Sequence, residues 1–462
     1  MTLITSISGI RGTIGGKTKS NLTPIDITLF VSAYAEMIKE NSEKCLIVVG
    51  RDARISGQMV KNIVIATLNA YGCDVVDIDL ATTPTTEMAV IKHRADGGII
   101  ITASHNPKEW NALKLLNDKG EFISGEEGEK LLELVKKQDF NYAKVDSLGK
   151  TVLDRDALKY HIEKILELPY VNKEAIAKAN IKVMVDAINS VGAVAIPPLL
   201  EALGVKNYEI INDDISGNFA HNPEPLKRNL TETINKAKGY GADVTFVVDP
   251  DVDRLAIIDE NGEMIGEEYT LVSVADYVLS KKVGNTVSNL SSSMALGNIA
   301  SNFGSMWYQS AVGEVNVVAK MREVEAVIGG EGNGGVILPD LHYGRDSLVG
   351  IALFLSYMAE SGKSVSEIRS QYPDYFMSKK KISFADMSVI NSVFKFVAEQ
   401  FVDNEKNWED GLKIYLQNEW IHLRKSNTEP IMRIYTESNT QQRADELADM
   451  IITMVEKMLK DM

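Results

Sequence analysis

Three aspartates alternate in the segment DPDVDR, which lies between two apolar runs rich in β-branched residues. Asp249, Asp251 and Asp253 are each two positions apart. In an extended segment alternate side chains share a face, so three carboxylates can converge on one point. Closely spaced carboxylates repel one another unless a cation lies among them, and Mg²⁺ prefers oxygen ligands. The pattern predicts a magnesium site, with a solvated acidic turn as the alternative.

The same acidic residues also match part of a calcium-binding EF-hand loop. Counted from Asp249, the aspartates fall at its first, third and fifth positions and Glu260 at its twelfth. That loop requires glycine at the sixth position and a helix on each side. This chain has Arg254 at the sixth position and strand-like flanks, so we reject the EF-hand. Arg254 is instead suited to hold an anionic group of a substrate.

A serine follows an apolar run directly in GGIIITASHNPKEWNALK. Four roles are open to Ser104: a helix cap, a hydrolase nucleophile, a phosphate ligand, or a carrier of a phosphoryl group. The Gly-x-Ser-x-Gly turn of serine hydrolases is absent, because Ser104 stands in the sequence Thr-Ala-Ser-His-Asn, without a glycine two positions away on either side. Beside a magnesium site and a phosphate-binding segment, a phosphorylated Ser104 is the coherent interpretation. The phosphoserine would add an oxygen ligand to the metal, and Lys114 would move protons at the reacting hydroxyl if its pKa were lowered.

A glycine-rich loop, GGEGNGG, carries two polar side chains. Glycines let the backbone approach a ligand closely, and Glu331 and Asn333 are the larger side chains that remain in this loop. A carboxylate and an amide on a bare loop suit recognition of the vicinal hydroxyls of a sugar. A flexible surface turn is the alternative.

Cations and hydroxyls cluster in RKSNTEPIMR, near the end of the chain. The side chains are those of Arg424, Lys425, Ser426, Asn427, Thr428 and Arg433. Together with turn amides they predict an anion site, and phosphate is the obvious anion; a charged hairpin turn is the alternative. No Walker loop is present, so nucleotide hydrolysis is not supported. Arg11 in GIRG is a further candidate anchor for a reacting phosphate, or part of a flexible N-terminal segment.

These residues need a scaffold, and short β-branched runs alternate with helical patterns along most of the chain. Strands are expected at CLIVVG, DVVDIDL, GGIIIT, IKVMVDA, VTFVVD and NTVSNLSSS, with amphipathic helices between them. This alternation is typical of parallel α/β layers. The last part differs, because LKIYLQNEWIHLRKS and PIMRIYTES read as antiparallel strands before a closing helix.

A chain of 462 residues is too long for one ordinary core. Charged segments near residues 142–156, 259–268 and 361–380 are candidate boundaries. We therefore expect four domains, at residues 1–150, 151–259, 260–370 and 371–462.

The net charge of −15 argues against a nucleic-acid binder, which normally presents a basic face. The first residues show no secretory signal, and no apolar run approaches the roughly 18 residues that a membrane span needs. A cytoplasmic protein that binds neither membrane nor nucleic acid is expected. Cys45 and Cys73 lie beside strand-like runs, and both are expected to be buried, reduced and inert.

Four segments in a fixed order carry a family resemblance: TASHNPKEWNALK, DPDVDR, GGEGNGG and RKSNTEPIMR. They resemble the signature loops of the α-D-phosphohexomutase superfamily, and the similarity extends over essentially the whole chain, including GIRG and HNPEPLKRNL. The resemblance implies a heart-shaped α/β protein with three related mixed α/β domains and a smaller α+β C-terminal domain. It also implies an isomerase, an intramolecular phosphotransferase that uses Mg²⁺ and a hexose 1,6-bisphosphate (glucosamine or glucose) as activator and intermediate. A monomer or homodimer acting on a small sugar phosphate is expected.

The resemblance also assigns roles to individual residues. Phosphoserine and metal ligands are Ser104 with Asp249, Asp251 and Asp253. The general acid/base is Lys114, and the residues around the transferring phosphate are His105, Arg11 and Arg254. Sugar recognition falls to Glu331 and Asn333, and the non-transferring phosphate to Arg424, Ser426, Asn427, Thr428 and Arg433.

The choice of sugar depends on a few positions. Many phosphomannomutase/phosphoglucomutases have serine where Asn333 stands, whereas GGEGNGG and NALK look more like the archaeal-like branch of phosphoglucosamine mutases. Glu314 and Asn316 stand near a turn where some dual-specificity mutases use lysine and histidine, and such groups suit a 2-ammonium substituent. Glucosamine phosphate is therefore expected, with mannose or glucose phosphate as the alternative. A catalytically dead sugar-phosphate-binding protein is a further alternative, but Ser104, Lys114 and the aspartates are all present.

Overall fold

A computed structural model describes residues 2–6, 9–40, 45–384, 386–426 and 430–461. The chain forms two compact units, one made of Met1–Lys282 with Asn333–Arg369 and the other of Val283–Gly332 with Ser370–Met462. Within the described ranges, no helix combines the length and the apolar composition that crossing a membrane would need.

The first unit begins with a seven-stranded mixed sheet. Its strands are β1 (Ile4–Ser6), β2 (Gly9–Thr13), β3 (Leu46–Arg51), β4 (Asp74–Leu80), β5 (Gly97–Ile101), β6 (Trp110–Leu116) and β7 (Thr151–Leu153), and its helices are α1 (Pro24–Lys39), α2 (Gly57–Ala70), α3 (Thr83–His93) and α4 (Gly125–Lys137). The strand order is β1-β2-β6-β5-β3-β4-β7. β3 is parallel to β4 and β5, whereas β6 is antiparallel to β5 and β2. The return strand β6 thereby places Lys114 opposite Ile100 of β5.

A second sheet follows in the same unit. The elements are α5 (Ala157–Leu166), α6 (Lys173–Ala179), β8 (Lys182–Asp186), α7 (Gly192–Leu203), β9 (Asn207–Ile211), α8 (Thr231–Tyr240), β10 (Val244–Val248), β11 (Leu255–Ile258) and α9 (Glu267–Lys281). The strand order is β11-β10-β8-β9, with β10 and β9 parallel to β8 and β11 antiparallel to β10. All five residues of β10 are buried, and a tight turn joins it to β11.

The chain then passes through the second unit and returns to the first. The elements in the second unit are β12 (Thr286–Asn289), α10 (Ala295–Asn302), β13 (Trp307–Ser310), α11 (Glu314–Glu323) and β14 (Ile328–Glu331), and those back in the first unit are β15 (Gly335–Ile337), α12 (Ser347–Ser361) and α13 (Val365–Arg369). β12 is parallel to β13 on one side and to β14 on the other.

The last part of the second unit is an antiparallel sheet with two helices. Its elements are β16 (Phe376–Ser383), α14 (Ile390–Glu399), β17 (Lys406–Asn407), β18 (Leu412–Leu416), β19 (Glu419–Lys425), β20 (Ile431–Ser438) and α15 (Gln441–Asp461). The strand order is β16-β20-β19-β18-β17, and every pair is antiparallel. Short 3₁₀ turns lie at Val145–Ser147, Lys227–Asn229 and Met387–Val389.

The strands predicted from the sequence, and the change to an antiparallel sheet near the end, are confirmed.

The prediction for the cysteines is half wrong. Cys45 and Cys73 are buried as expected, with 7% and 0% of their surface exposed, but they form a disulfide. The reason lies in the register of the sheet, in which Leu46 of β3 pairs with Asp74 of β4. Since each cysteine immediately precedes one of these paired residues, the parallel strands bring the two thiols side by side.

Candidate active site

The DPDVDR segment forms the turn between β10 and β11, and we refer to residues 249–253 as the aspartate turn. Asp249, Asp251 and Asp253 are fully buried, and one oxygen of each lies within 4.8 Å of the others. The carboxylates converge, but through a turn rather than an extended strand. Val252 adopts a left-handed φ of +62°, and the N–H groups of Asp253 and Arg254 donate to Asp249 Oδ1 at 3.1 Å each.

The charges of the aspartate turn are unevenly balanced. Burial raises the pKa of Asp249 well above its usual value, and the charges of Asp253 and Asp251 add to the rise. Burial acts in the same direction on Asp253, but Arg345 and Lys114 outweigh it and hold the pKa of that carboxyl below its usual range. Oδ1 of Asp251 and Oδ1 of Asp253 are buried and accept no hydrogen bond from any described residue. Oxygens in that state suit a hard divalent cation, so the residues present fit Mg²⁺.

Lys114 on β6 reaches the same carboxylates. Its Nζ lies 2.7 Å from Asp251 Oδ2 and 3.2 Å from Asp253 Oδ2. Burial would lower the pKa of Lys114, but the charges of the two aspartates outweigh burial and raise the pKa above its usual value. The lowered pKa that an acid/base role requires is therefore not found in this arrangement. A divalent cation on the same oxygens would weaken the hold of the carboxylates on the ammonium group.

Ser104 lies three residues beyond the end of β5, beside the aspartate turn. Its Oγ donates to Asp249 Oδ2 at 2.8 Å, and the residue is 9% exposed. Its φ of +47° lies in the left-handed region, which costs energy for a residue with a β-carbon. The described residues after it lead through turns into β6 rather than into a helix, so Ser104 is not a helix cap.

Cations surround the neighbouring histidine. Burial lowers the pKa of His105 to about 3, and the charge of Arg254 acts in the same direction. Arg345 and Arg11 contribute smaller effects of the same sign. The imidazole is therefore neutral at physiological pH, and its Nδ1 lies 3.5 Å from Ser104 Oγ. Arg11 itself lies on β2, which pairs with β6. Residues from several predicted motifs of the first unit thus affect the electrostatics around His105.

Two arginines at this place were not predicted from the sequence. Arg345 Nη2 donates to Asp253 Oδ2 at 2.7 Å, and Arg54 Nη2 donates to the carbonyl of Ser104 at 2.5 Å. The signal that was available is a recurring Gly-Arg-Asp tripeptide, at residues 50–52 and 344–346. Arg345 belongs to the second tripeptide, and Arg54 follows the first by two positions.

The glycine-rich loop begins where β14 ends. Glu331 is 5% exposed, and its Oε1 accepts hydrogen bonds from Asn289 Nδ2 at 2.9 Å and Gly313 N at 3.3 Å. This half of the loop is held by its neighbours, which argues against a free surface turn. Asn333 belongs to the first compact unit, where its Oδ1 accepts from Gly335 N at 3.2 Å.

The RKSNTEPIMR segment joins β19 to β20. Arg424 and Arg433 lie opposite each other in the register of these strands, and Arg424 Nε lies 2.6 Å from Asp410 Oδ2. Ser426 is buried at the end of β19. Two predicted residues of this segment lie outside the described part of the chain: Asn427 and Thr428. Two guanidinium side chains at one register position concentrate positive charge, as an anion site requires.

Fold and site together define a multidomain α/β protein in which a buried carboxylate cluster contacts a serine hydroxyl. Family models of phosphoglucomutase/phosphomannomutase match along the chain. The α/β/α domains I, II and III match residues 3–142, 159–262 and 266–375, and the C-terminal domain matches residues 378–454.

Individual proteins agree with these matches. The chain is 36% identical over 456 residues to the phosphoglucomutase/phosphomannomutase of Thermococcus kodakarensis, which covers 97% of this chain and 99% of the relative. It is 31% identical over 459 residues to a probable phosphoglucosamine mutase of Methanopyrus kandleri, with 98% of each chain covered. The crystal structure of a phosphoglucomutase/phosphomannomutase family protein from Burkholderia thailandensis has the same fold, with a TM-score of 0.83, 24% identity and 98% of each chain covered.

This chain therefore belongs to the phosphoglucomutase/phosphomannomutase family. It is a phosphohexomutase, an isomerase that transfers phosphate intramolecularly. The expected fold, with mixed α/β domains followed by a smaller domain built on an antiparallel sheet, is confirmed.

Proposed function

We propose that the protein is a phosphoglucosamine mutase, which interconverts glucosamine 6-phosphate and glucosamine 1-phosphate. In this proposal Ser104 carries a phosphoryl group and gives it to the sugar monophosphate, which forms a 1,6-bisphosphate. The bisphosphate reorients and returns its other phosphate to the serine. The observation that carries the proposal is the position of Ser104 Oγ, 2.8 Å from Asp249 Oδ2 and beside two further buried carboxylates.

The metal would be held by Asp249, Asp251, Asp253 and an oxygen of the phosphorylated Ser104. Bound there, Mg²⁺ would supply positive charge to the phosphoryl group during transfer. The donor set supports this choice, because it consists of carboxylate oxygens, two of which accept no hydrogen bond from the described residues.

Side chains of the protein would carry out the remaining steps. A sugar hydroxyl attacks phosphorus, the new oxygen–phosphorus bond forms, and the bond between phosphorus and Ser104 Oγ breaks. Lys114 would give a proton to the leaving Ser104 Oγ and accept the proton of the attacking hydroxyl, once its contacts with the aspartates are relieved. Arg254 and Arg11 would add positive charge around the phosphate. Neutral His105 would form a hydrogen bond with Ser104 Oγ.

Carboxylates in the second unit support an amino sugar as substrate. The Gly313 N–H donates to Glu331 Oε1 at 3.3 Å, and Glu314, the next residue, is 7% exposed. The backbone beside Glu314 thus contacts the Glu331 carboxylate, and the negative charge of these two residues would attract a 2-ammonium group. The Methanopyrus kandleri relative is named as a probable phosphoglucosamine mutase, in agreement with this assignment.

Mannose or glucose phosphate is the second candidate. The Thermococcus kodakarensis relative, which is 36% identical, is named phosphoglucomutase/phosphomannomutase. The two candidates share the chemistry at Ser104 and differ in the group at carbon 2 of the sugar.

A coupled assay separates the two candidate functions. It compares glucosamine 6-phosphate, glucose 1-phosphate and mannose 1-phosphate, each with Mg²⁺ and a bisphosphate activator. We expect kcat/KM to be higher for glucosamine 6-phosphate by about tenfold or more, and Glu314→Gln to reduce this preference. Glu323→Gln, on the exposed end of the same helix α11, is the matched control. The opposite order of substrates would favour the second candidate, and failure of all three sugars would contradict a hexose-phosphate mutase.

A further inference from the structure

A buried arginine holds the segment that carries Ser104. Arg54, which follows β3, is 1% exposed. Its Nη atoms donate to four backbone carbonyls at 2.5 to 2.9 Å, those of Ser104, Asn106, Pro107 and Trp110. Its Nε donates to Asp52 Oδ2 at 3.0 Å. These bonds use all five N–H donors of a guanidinium group. Arg54 therefore binds four backbone carbonyls and Asp52, and it has no N–H donor left for a phosphate.

Asp52 and Thr102 complete the network. Asp52 Oδ2 also accepts from Thr102 Oγ1 at 2.7 Å, and Thr102 Oγ1 accepts from the N–H of Ser104 at 3.0 Å. The backbone of Ser104 is thereby held on both sides, its N–H through Thr102 and its carbonyl through Arg54. A left-handed φ such as the +47° of Ser104 persists where the surroundings enforce it.

The segment around Arg54 also contacts the aspartate turn. The Ala53 N–H donates to Ser190 Oγ at 3.4 Å, and Ser190 Oγ donates to the carbonyl of Pro250 at 2.6 Å. The ring of Phe219 covers the guanidinium group, with its centroid 5.0 Å from Arg54 Cζ. One buried segment therefore links the serine loop to the turn that would hold the metal.

We propose that Arg54 is a positioning residue for phosphoryl transfer, which keeps Ser104 Oγ directed at the aspartate turn whether or not the serine carries phosphate. The proposal rests on the proposed function, because it assumes that Ser104 is phosphorylated and dephosphorylated in turn. Each transfer changes the charge on the serine by about two units. A loop held only through the phosphate would relax after each transfer, whereas the carbonyls held by Arg54 stay in place.

The test compares Arg54→Met and Arg54→Lys with the control Arg51→Met. Arg51 lies three residues earlier and pairs with Asp79, whose side chain is 44% exposed. We expect kcat to fall about 100-fold in Arg54→Met and about tenfold in Arg54→Lys, because lysine keeps the charge with fewer donors and a small displacement of a reacting group is costly. The KM for the sugar phosphate should change less than about threefold, because the N–H donors of Arg54 bind backbone carbonyls and Asp52 rather than a ligand. The control should keep wild-type kcat.

Hydrogen exchange gives a readout that does not depend on activity. Amides of residues 102–110 should exchange faster in both Arg54 variants than in the wild type and in Arg51→Met, while the rest of the chain is unchanged. If Arg54→Met does not fold, Arg54→Lys carries the test. The proposal would be overturned by wild-type kcat in the Arg54 variants or by unchanged exchange in residues 102–110. It would also be overturned if the loss of kcat only followed the loss of folded protein. If the wild-type protein transfers no phosphoryl group, the proposed function fails, and the exchange measurement still decides whether Arg54 holds the loop.

Discussion

Among the described residues of the first unit, two buried groups bring metal-ligating atoms within 4.8 Å of one another: the aspartate turn, and a group made of His161, His342 and Asp346. In the second group, Asp346 Oδ2 lies 2.9 Å from His161 Nε2 and 3.3 Å from His342 Nε2. Glu87 Oε2 lies 3.3 Å from His342 Nδ1. By proximity alone, both groups are candidate metal sites.

The balance of charge separates them. Burial would lower the pKa of His342, but hydrogen bonds with Asp346 and Glu87 raise it to about 10. Burial would raise the pKa of Asp346, but the imidazoles of His161 and His342 hold it below its usual range. The histidine group thus pairs its carboxylates with imidazoles, whereas the aspartate turn brings three carboxylates together and the pKa of Asp249 is raised well above its usual value. Unbalanced charge, rather than the closeness of ligands, therefore distinguishes the candidate cation site.

The largest effect is expected from Asp251→Asn. The change removes a proposed metal ligand and a contact of Lys114, so kcat/KM should fall by about 100- to 1000-fold. The coupled assay checks this across a range of Mg²⁺ concentrations. Asp259→Asn, at the end of the neighbouring strand β11, is the control. Wild-type activity of Asp251→Asn at limiting Mg²⁺ would remove the distinction between the two groups.

For stability, we expect the larger effect from a substitution in the histidine group rather than in the aspartate turn. Asp346→Asn leaves the buried His161 without its carboxylate partner and His342 with Glu87 alone, which should lower the free energy of unfolding by about 3 kcal/mol. Asp251→Asn should cost less, because it also removes repulsion with Asp249. Urea denaturation without metal compares the two variants. Equal losses would show that both groups are structural.

Magnesium should stabilise the protein through the aspartate turn alone. At a concentration of about 100 times Kd, a ligand that binds only the folded state adds about 2.7 kcal/mol to the free energy of unfolding. This gain should disappear in Asp251→Asn and remain in Asp346→Asn. Thermal unfolding with Mg²⁺ and with EDTA provides the measurement. A gain in stability that is lost only in Asp346→Asn would place the metal at the histidine group instead.

The smallest effect is the pH dependence of the histidine group. The pKa of His342 is raised from 6.5 to about 10 in the folded protein, so its stabilising contribution is full below about pH 6.5 and is lost as the pH rises towards 10. Between about pH 7 and pH 8.5, the free energy of unfolding should fall by about 1 to 2 kcal/mol. His342→Gln should flatten this decline. An unchanged slope in that variant would contradict the charge balance described here.

The sequence predicts much of this structure, and the exceptions share a cause. The strands before Ser104 and Asp249 follow from local hydrophobic runs, and the spacing of the aspartates predicts their convergence. The roles of Arg54 and Arg345 depend on partners about 50 and 92 positions away, which no local pattern contains. The disulfide depends on the register of two strands, and the raised pKa of Lys114 depends on carboxylates from another sheet.

The proposed function depends on phosphorylation of Ser104, which mass spectrometry can detect. Protein incubated with Mg²⁺ and glucosamine 1,6-bisphosphate should gain one phosphoryl group, mapped to Ser104, and should lose it when glucosamine 6-phosphate is added, while Ser104→Ala gains none. Turnover of sugar phosphate by a wild-type protein without phosphorylated Ser104, or full turnover by Ser104→Ala, would rule out the phosphoserine mechanism.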